Sequence, residues 1–286
     1  MATPRSADAG LFGPGSVTWR VNGDPAMIVG GMAALLVQAL NPLALAGVDQ
    51  HSDFRTDTWG RYQRTARFIS TVTFASTAHA QAAAAVVRRM HRRVRGTDPV
   101  TGGTYYAGQP DLLAWVHNVL VHSLVLAKRS YGGGLSWADA DRYLVEMVRM
   151  AELVGCPADL VPTTMGDLRD YLGSAPLVAS PLAQEAKWAV LTPPLPLALR
   201  PVWAVLDAAA VGLLPRRVRR LYHLPWFPPA APAVRLAATA GFSTLEALFP
   251  GPPERLEAEA RLRAGSDARA GSDARAGSDA SGGLAA

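Results

Sequence analysis

The clearest helical pattern in this chain occupies residues 57–95, which read DTWGRYQRTARFISTVTFASTAHAQAAAAVVRRMHRRVR. In the first half, apolar residues recur at three- and four-residue spacing, which indicates a helix that begins near Asp57. The second half predicts a helix from Thr77 to Arg95, with His91 on its apolar face and Gly96 as its end. Two amphipathic helices in succession favour an all-α fold.

Capping and stop signals divide the rest of the chain into further helices. They are the Asp24-Pro25 start, the Asn41-Pro42 stop or kink, the Pro110-Asp111 start, the Gly132–Gly134 stop, the Ser136 and Asp139 capping box, a short helix after Thr164 and an apolar helix from about Val202 to Leu213. No strand pair is predicted, so the glycine- and tyrosine-rich residues 102–106 are expected to form a turn.

The chain is expected to form one globular helical bundle between two peripheral segments. An N-terminal segment, 1–16, precedes a helical domain at 17–260. We divide that domain into a core, 17–172, and C-terminal helices joined by irregular proline-rich connections, 173–260. The last segment, 261–286, contains a repeated Arg-Ala-Gly-Ser-Asp-Ala unit and is expected to be disordered, because its residues cannot anchor a core.

Charge and cysteine content exclude several functions. The net charge is +5 and the pI about 9.7, but the arginines are spread over several helices without a nucleic-acid motif, so no nucleic-acid partner is expected. Cys156 is the single cysteine, which excludes an intrachain disulfide and a multi-cysteine metal site. A lone thiol fits a reducing compartment, and we expect a cytoplasmic protein.

One stretch, from Ala26 to Val48, is almost free of charge and long enough to cross a bilayer. Gln38 and the Asn41-Pro42 pair interrupt it, which favours a core helix over a membrane span. Peripheral membrane contact through this helix and the basic run at 215–220 stays an alternative.

His91 and His117 are the candidate iron ligands, because both lie on apolar faces of predicted helices. A lone histidine on such a face is more often an ordinary core residue. Haem, however, needs an axial imidazole, arginine partners for its propionates and a donor near bound dioxygen, and Arg61 and Thr65 complete that set. The sequence has no GxSxG, GxxxxGK or strand-linked GxGxxG motif.

A longer pattern resembles a known family. The strings are WRVNGDPAMIVGGMAALLVQALNP (19–42), HSDFRTDTWGRYQRT (51–65), RRMHRRVRG (88–96), LLAWVHNVLVHS (112–123) and LVGCPADLVPTTMGDLRDYL (153–172), with a looser echo at 212–215 and 224–226. In order and spacing they resemble the DUF2236 family, which includes the fungal oxygenase MpaB and the bacterial rubber oxygenase called latex clearing protein.

The resemblance implies an all-helical oxygenase with haem b that adds dioxygen across the double bond of an apolar, isoprenoid-like substrate. It implies that His91 is the proximal ligand of the haem iron, Arg61 a propionate or structural anchor, and Arg64 and Thr65 polar, catalytic groups of the distal pocket. The chain departs from the rubber oxygenase at Arg64, where that enzyme has a lysine; a guanidinium stays protonated and is a very poor iron ligand.

Four alternatives stay open at this stage. His117 could be a second haem ligand, or could share a non-haem iron with His91, although such a site usually needs a carboxylate as well. Asp111, Glu146 and Glu152 are the acidic residues at hand, but none forms a helical HxxE or ExxH pair with a histidine. The protein could also be a non-catalytic binder of haem or of an apolar ligand, or a membrane-surface protein.

Overall fold

The computed structural model describes residues 8–194, 196–248 and 251–266. It is almost entirely helical, which confirms the all-α prediction. The helices are α1 (Val17–Asn22), α2 (Met27–Gln38), α3 (Pro42–His51), α4 (Thr58–Phe74), α5 (Thr77–His91), α6 (Pro110–Tyr131), α7 (Trp137–Val154), α8 (Met165–Ser174), α9 (Pro181–Leu191), α10 (Arg200–Leu213), α11 (Arg216–Leu221), α12 (Ala231–Leu248) and α13 (253–266). Single 3-10 turns occupy Ala158–Leu160, Leu197–Leu199 and Pro228–Ala230.

Helices α2 and α6 pack against each other along their length and form the centre of the fold. The contact is close because Gly30 has no side chain: a Cβ there would lie 2.9 Å from a methyl of Leu124 and 3.1 Å from the Cβ of Ala127. Helices α9 and α10 flank α2, while α7, α8 and α12 flank α6. The apolar segment 26–48 thus lies mostly inside the protein, and it bends by 106° between α2 and α3, where Asn41-Pro42 predicted a stop or kink.

By length and composition alone, α6 could cross a membrane, and so could the bent pair of α2 and α3. In the described structure, 67% of the apolar 18-residue stretch of α6 that could span a membrane is buried against other parts of the chain. That burial is typical of the central helix of a globular domain.

A buried hydrogen-bond chain joins α1, α4 and α7. Tyr143 donates to Asn22 Oδ1 over 2.8 Å, and the Asn22 amide donates to Thr73 Oγ1 over 2.8 Å. All three residues are essentially inaccessible to solvent, so their polar groups satisfy one another within the core. This chain fixes the second half of α4 against α7.

Helices α4 and α5 form a hairpin, because they contact each other and only Ala75 and Ser76 join them. Asp57 caps α4 by accepting from the amide of Gly60, and Ser76 caps α5 by accepting from that of His79, so α4 begins where the sequence predicts. Among the described residues, the hairpin packs closely against α1 and α7 but not along α6. The start of α4 and the end of α5 both lie beside the end of α3, because Ser52 accepts from Arg61 and the ring of His51 lies 3.0 Å from the carbonyl of Arg95. We call this end of the pair the open end of the hairpin.

The predicted end of α5 is wrong. The helix ends at His91, and Arg95–Thr97 instead pairs antiparallel with Thr104–Tyr106, with Gly96 opposite Tyr105. The Asp98 carboxylate accepts from the amides of Val100 and Thr101 and closes the connecting turn. The expectation of no strand pair is therefore also wrong, because this local turn and the burial of Tyr105 against α3 outweigh helix propensity over three residues.

Other expected boundaries shift by smaller amounts. Helix α2 starts at Met27, because Asp24 uses its carboxylate to cap the amide of Ala26 and to pair with Lys128 at 2.5 Å. The expected disordered segment, 261–286, begins inside α13, which continues to residue 266. Its remainder, 267–286, lies outside the described residues, and so do residues 1–7 of the 1–16 segment.

Candidate functional site

The face of α4 that points into the protein is buried along the second half of the helix and accessible to solvent along the first half. Arg61, Thr65, Ile69 and Val72 share this face, because they recur at helical spacing. Ile69 and Val72 are 3% and 0% exposed, whereas Thr65 is exposed to solvent. An exposed threonine on a face that otherwise points into the core indicates an opening beside the first turns of α4.

Arg61 lies at this opening as a cation without an acidic partner. Its guanidinium donates to the hydroxyl of Ser52 over 3.1 Å, and within the described residues it forms no salt bridge. Burial, with a smaller contribution from the charge of Arg64, lowers the pKa of Arg61 to about 10, so the side chain is still cationic at neutral pH. A largely buried, unpaired guanidinium is suited to bind an anionic group.

Arg64 and Thr65 both use their polar groups within the first turns of α4. Arg64 forms a salt bridge of 2.9 Å with Asp57 and is 64% exposed. Thr65 donates its hydroxyl to the carbonyl of Arg61 over 3.2 Å. Only Thr65 therefore shares the open face with Arg61, while Arg64 lies one step around the helix toward solvent.

His91 lies at the same end of the hairpin, at the last residue of α5. It continues the face of Ala80 and Ala84, which are both 0% exposed, but is itself only half-buried. Its Nδ1 atom is buried and has no hydrogen-bond partner among the described residues. Burial lowers the pKa of His91, which favours the neutral ring that can donate a lone pair to a metal.

His117 is fully inside the protein, in the first half of α6. It is 6% exposed, and its buried Nε2 atom also lacks a partner within the described structure. Burial lowers the pKa of His117 to about 4, so this ring too is neutral at neutral pH. It shares its helical face with Leu113, which packs against Cys156 and Val161 near the end of α7.

Tyr62 was not among the residues singled out from the sequence, yet it joins the start of α4 to α2. Its hydroxyl donates to the carbonyl of Ile28 over 3.2 Å, and its ring lies where a Cβ on Gly31 would approach within 2.9 Å. Burial raises the pKa of Tyr62. Its position within the RYQRT string could have drawn attention to it, but the contact with α2 joins residues far apart in sequence.

A small apolar cavity of about 20 Å³ lies beside Tyr62. It is lined by Met32, Leu35, Thr58, Tyr62, Ala189, Val190, Pro193 and Trp203. The volume is enough for one molecule of the size of water or dioxygen. The cavity is next to the start of α4, but Arg61, His91 and His117 do not line it.

The carboxylates considered as ligands of a non-haem iron either cap a helix or are exposed to solvent. Glu146 accepts from the amides of Val17 and Thr18 and so caps α1, while Asp111 and Glu152 are exposed. No group of three or more histidine, cysteine, aspartate or glutamate side chains suitable for a metal occurs in the described part of the chain. The residues present therefore do not provide the two-histidine, one-carboxylate site.

The same residues fit a haem better. Haem needs one neutral imidazole, a cation for its propionates and an opening between helices. His91 has an unsatisfied ring nitrogen, Arg61 lacks a counter-ion, and both lie at the open end of the α4–α5 hairpin. The unsatisfied nitrogen of His91 matches the iron of a haem, and the unpaired guanidinium of Arg61 matches a haem propionate.

The fold and site thus define a helical protein with a half-open hairpin, a neutral histidine and an unpaired arginine. A family model described as ER-bound oxygenase mpaB/B'/Rubber oxygenase, catalytic domain, matches residues 19–245. The chain belongs to this oxygenase family, which confirms the resemblance and extends it through α12. No curated protein and no solved structure matches the chain.

Proposed function

We propose that the protein is a haem-b-dependent oxygenase that uses dioxygen to oxidise a small, apolar, isoprenoid-like substrate. The observation that carries the proposal is His91, a neutral histidine with an unsatisfied buried nitrogen at the open end of the α4–α5 hairpin. Membership in a family of oxygenases supports the class of reaction. Bound haem would supply the binding and activation of dioxygen.

The side chains of this protein would hold the cofactor and control its surroundings. His91 would hold the iron through the lone pair of its neutral ring, and Arg61 would bind a propionate through its unpaired guanidinium. Tyr62 would hold the start of α4 in place through its close packing against Gly31 of α2. Thr65, whose hydroxyl lies on the open face, and Arg64 are the proposed polar groups of the distal pocket.

The proposal is tested by expression with a haem precursor, followed by absorption spectroscopy and measurement of oxygen consumption with a short unsaturated isoprenoid. We expect a Soret band that is lost in His91→Ala. The matched control is His79→Ala, which removes an exposed histidine from the opposite end of the same helix and should keep the band. A wild-type protein that stays colourless would refute the cofactor assignment.

A second candidate, a haem-binding protein without oxygenase activity, is favoured by the unpartnered Nε2 of His117. If His117 were the second axial ligand, no iron position would be left for dioxygen. This candidate predicts a low-spin spectrum that changes in His117→Ala, and no oxygen consumption. The oxygenase proposal predicts that His117→Ala leaves the spectrum unchanged.

A further inference from the structure

An exposed apolar surface lies where α9 leads into α10. Leu197, Leu199 and Val202 are 75%, 51% and 60% exposed, and they occupy the 3-10 turn and the first helical turn that follows it. We call these three residues the 197–202 surface. Large side chains exposed in a contiguous stretch mark interaction sites more often than single exposed residues do.

The 197–202 surface adjoins the small apolar cavity beside α4. Ala189, Val190 and Pro193 of the α9 end line this cavity together with Trp203, the residue after Val202. Trp188, which is 53% exposed, directly precedes the lining residue Ala189. Apolar side chains therefore continue from the interior cavity to the protein surface at the α9–α10 junction.

The surrounding sequence carries a strong positive charge. Residues 186–245 contain seven lysines and arginines but one acidic residue, Asp207, so this stretch is more positive than the +5 of the whole chain. Burial raises the pKa of Asp207 to about 7, which weakens even this negative charge at neutral pH. Other parts of the chain must therefore be close to neutral or negative on balance.

Three arginines of this stretch are free to act on a partner. Arg200 lies inside the 197–202 surface, and Arg216 and Arg220 lie on α11 beyond the far end of α10. All three are exposed, and none forms a salt bridge with another described residue. Exposed leucines next to unpaired arginines are the combination that binds the interface of an anionic bilayer.

We propose that the 197–202 surface docks on an anionic phospholipid membrane, with its leucines in the interfacial region and Arg200, Arg216 and Arg220 binding the lipid headgroups. Charge complementarity favours this occupant, because the cytoplasmic leaflet is negative whereas a second copy of this chain would present the same positive charge. This docking does not depend on haem. It would place the apolar cavity next to a phase in which apolar molecules dissolve.

Sedimentation of the full chain with phosphatidylcholine vesicles, with and without phosphatidylserine, tests the proposal. We expect binding to the anionic vesicles only, and we expect it to weaken at high salt because the charges are exposed. Leu197→Ser/Leu199→Ser/Val202→Ser should lower the bound fraction at least tenfold, and so should Arg200→Ala/Arg216→Ala/Arg220→Ala. The matched control is Val100→Ser/Val145→Ser/Leu256→Ser, which alters exposed apolar residues elsewhere and should bind like the wild type.

Circular dichroism of each variant verifies that it is folded before its binding is compared. Equal binding to neutral vesicles, or unchanged binding of the leucine variant, would overturn the proposal. A dimer in light scattering that the leucine variant dissociates, without vesicle binding by either protein, would assign the surface to self-association instead. None of these readouts uses haem or oxygen, so failure here is distinguishable from failure of the oxygenase proposal.

Discussion

Arg61 donates a hydrogen bond to Ser52 Oγ over 3.1 Å, and that hydroxyl donates in turn to the carbonyl of Val48 over 2.6 Å. The first turn of α4 is thus attached to the end of α3 through neutral oxygen atoms. The guanidinium keeps its full charge and most of its donors for another partner. This arrangement supports an anion-binding role for Arg61.

We therefore expect Arg61→Met to weaken haem binding. A hydrogen bond to a charged group contributes about 2 kcal/mol, which corresponds to roughly a thirtyfold loss of affinity. Titration of the apoprotein with haem, followed at the Soret band, measures this loss. Arg67→Met is the matched control, because Arg67 is an exposed arginine of the same helix.

The stability of the apoprotein separates a binding role from a structural one. Removal of a largely buried, unpaired cation should leave the free energy of unfolding unchanged or slightly higher in Arg61→Met. A variant that loses both stability and haem would mean that Arg61 supports the fold instead of the cofactor.

Acid should destabilise the protein through His117. Its folded-state pKa is about 4, against a reference value of 6.5, so between these pH values the unfolded chain binds more protons than the folded one. The free energy of unfolding should therefore fall by about 3 kcal/mol for this residue as the pH falls from 6.5 to 4. Denaturant titrations at pH 7 and pH 4.5 measure the difference.

The His117→Leu variant tests the origin of this pH dependence. Its stability should change less between the two pH values than that of the wild type, by roughly the 3 kcal/mol assigned to the buried ring. His51→Gln removes an exposed imidazole and serves as the control. His122, whose pKa burial also lowers to about 4, should add a similar slope that persists in the His117→Leu variant.

Much of the fold could be predicted because it depends on local signals. Asp57, Ser136 and Thr164 cap helices where the sequence indicates, since each side chain accepts from an amide within three residues. The strand pair after His91 was missed because each strand has only three residues, too few for a periodic pattern. Helices α9 and α12 were missed because prolines surround them.

The candidate site was harder to predict than the fold. The spacing within 57–95 places Arg61, Thr65 and His91 at one end of a hairpin, and the structure has that hairpin. Spacing could not reveal that Arg64 pairs with Asp57 or that Ser52 binds Arg61. The contact with Ser52 depends on how the end of α3 packs against α4, which is tertiary information.

The catalytic assignment of Arg64 and Thr65 stays a prediction, and activity can test it. If Thr65 donates to the bound oxygen species or substrate, Thr65→Val should lower oxygen consumption at least tenfold while the Soret band persists, and Thr65→Ser should restore most of the rate. Arg64→Ala should have a comparable effect only if its side chain leaves Asp57 and turns toward the cofactor. Arg67→Ala provides the comparison for a general loss of positive charge on α4.

Gly31 and Tyr62 provide the sharpest test of the packing between α2 and the start of α4. A Cβ at Gly31 would lie 2.9 Å from the Tyr62 ring and 3.2 Å from its hydroxyl, so Gly31→Ala should cost about 1–3 kcal/mol of stability through overpacking. In a Tyr62→Ala background the ring is gone, and the same substitution should be neutral or stabilise α2 by up to about 1 kcal/mol, because alanine is the better helix former. A double-mutant cycle by chemical denaturation measures this change of sign. Equal effects in both backgrounds would mean that Tyr62 does not lie against α2.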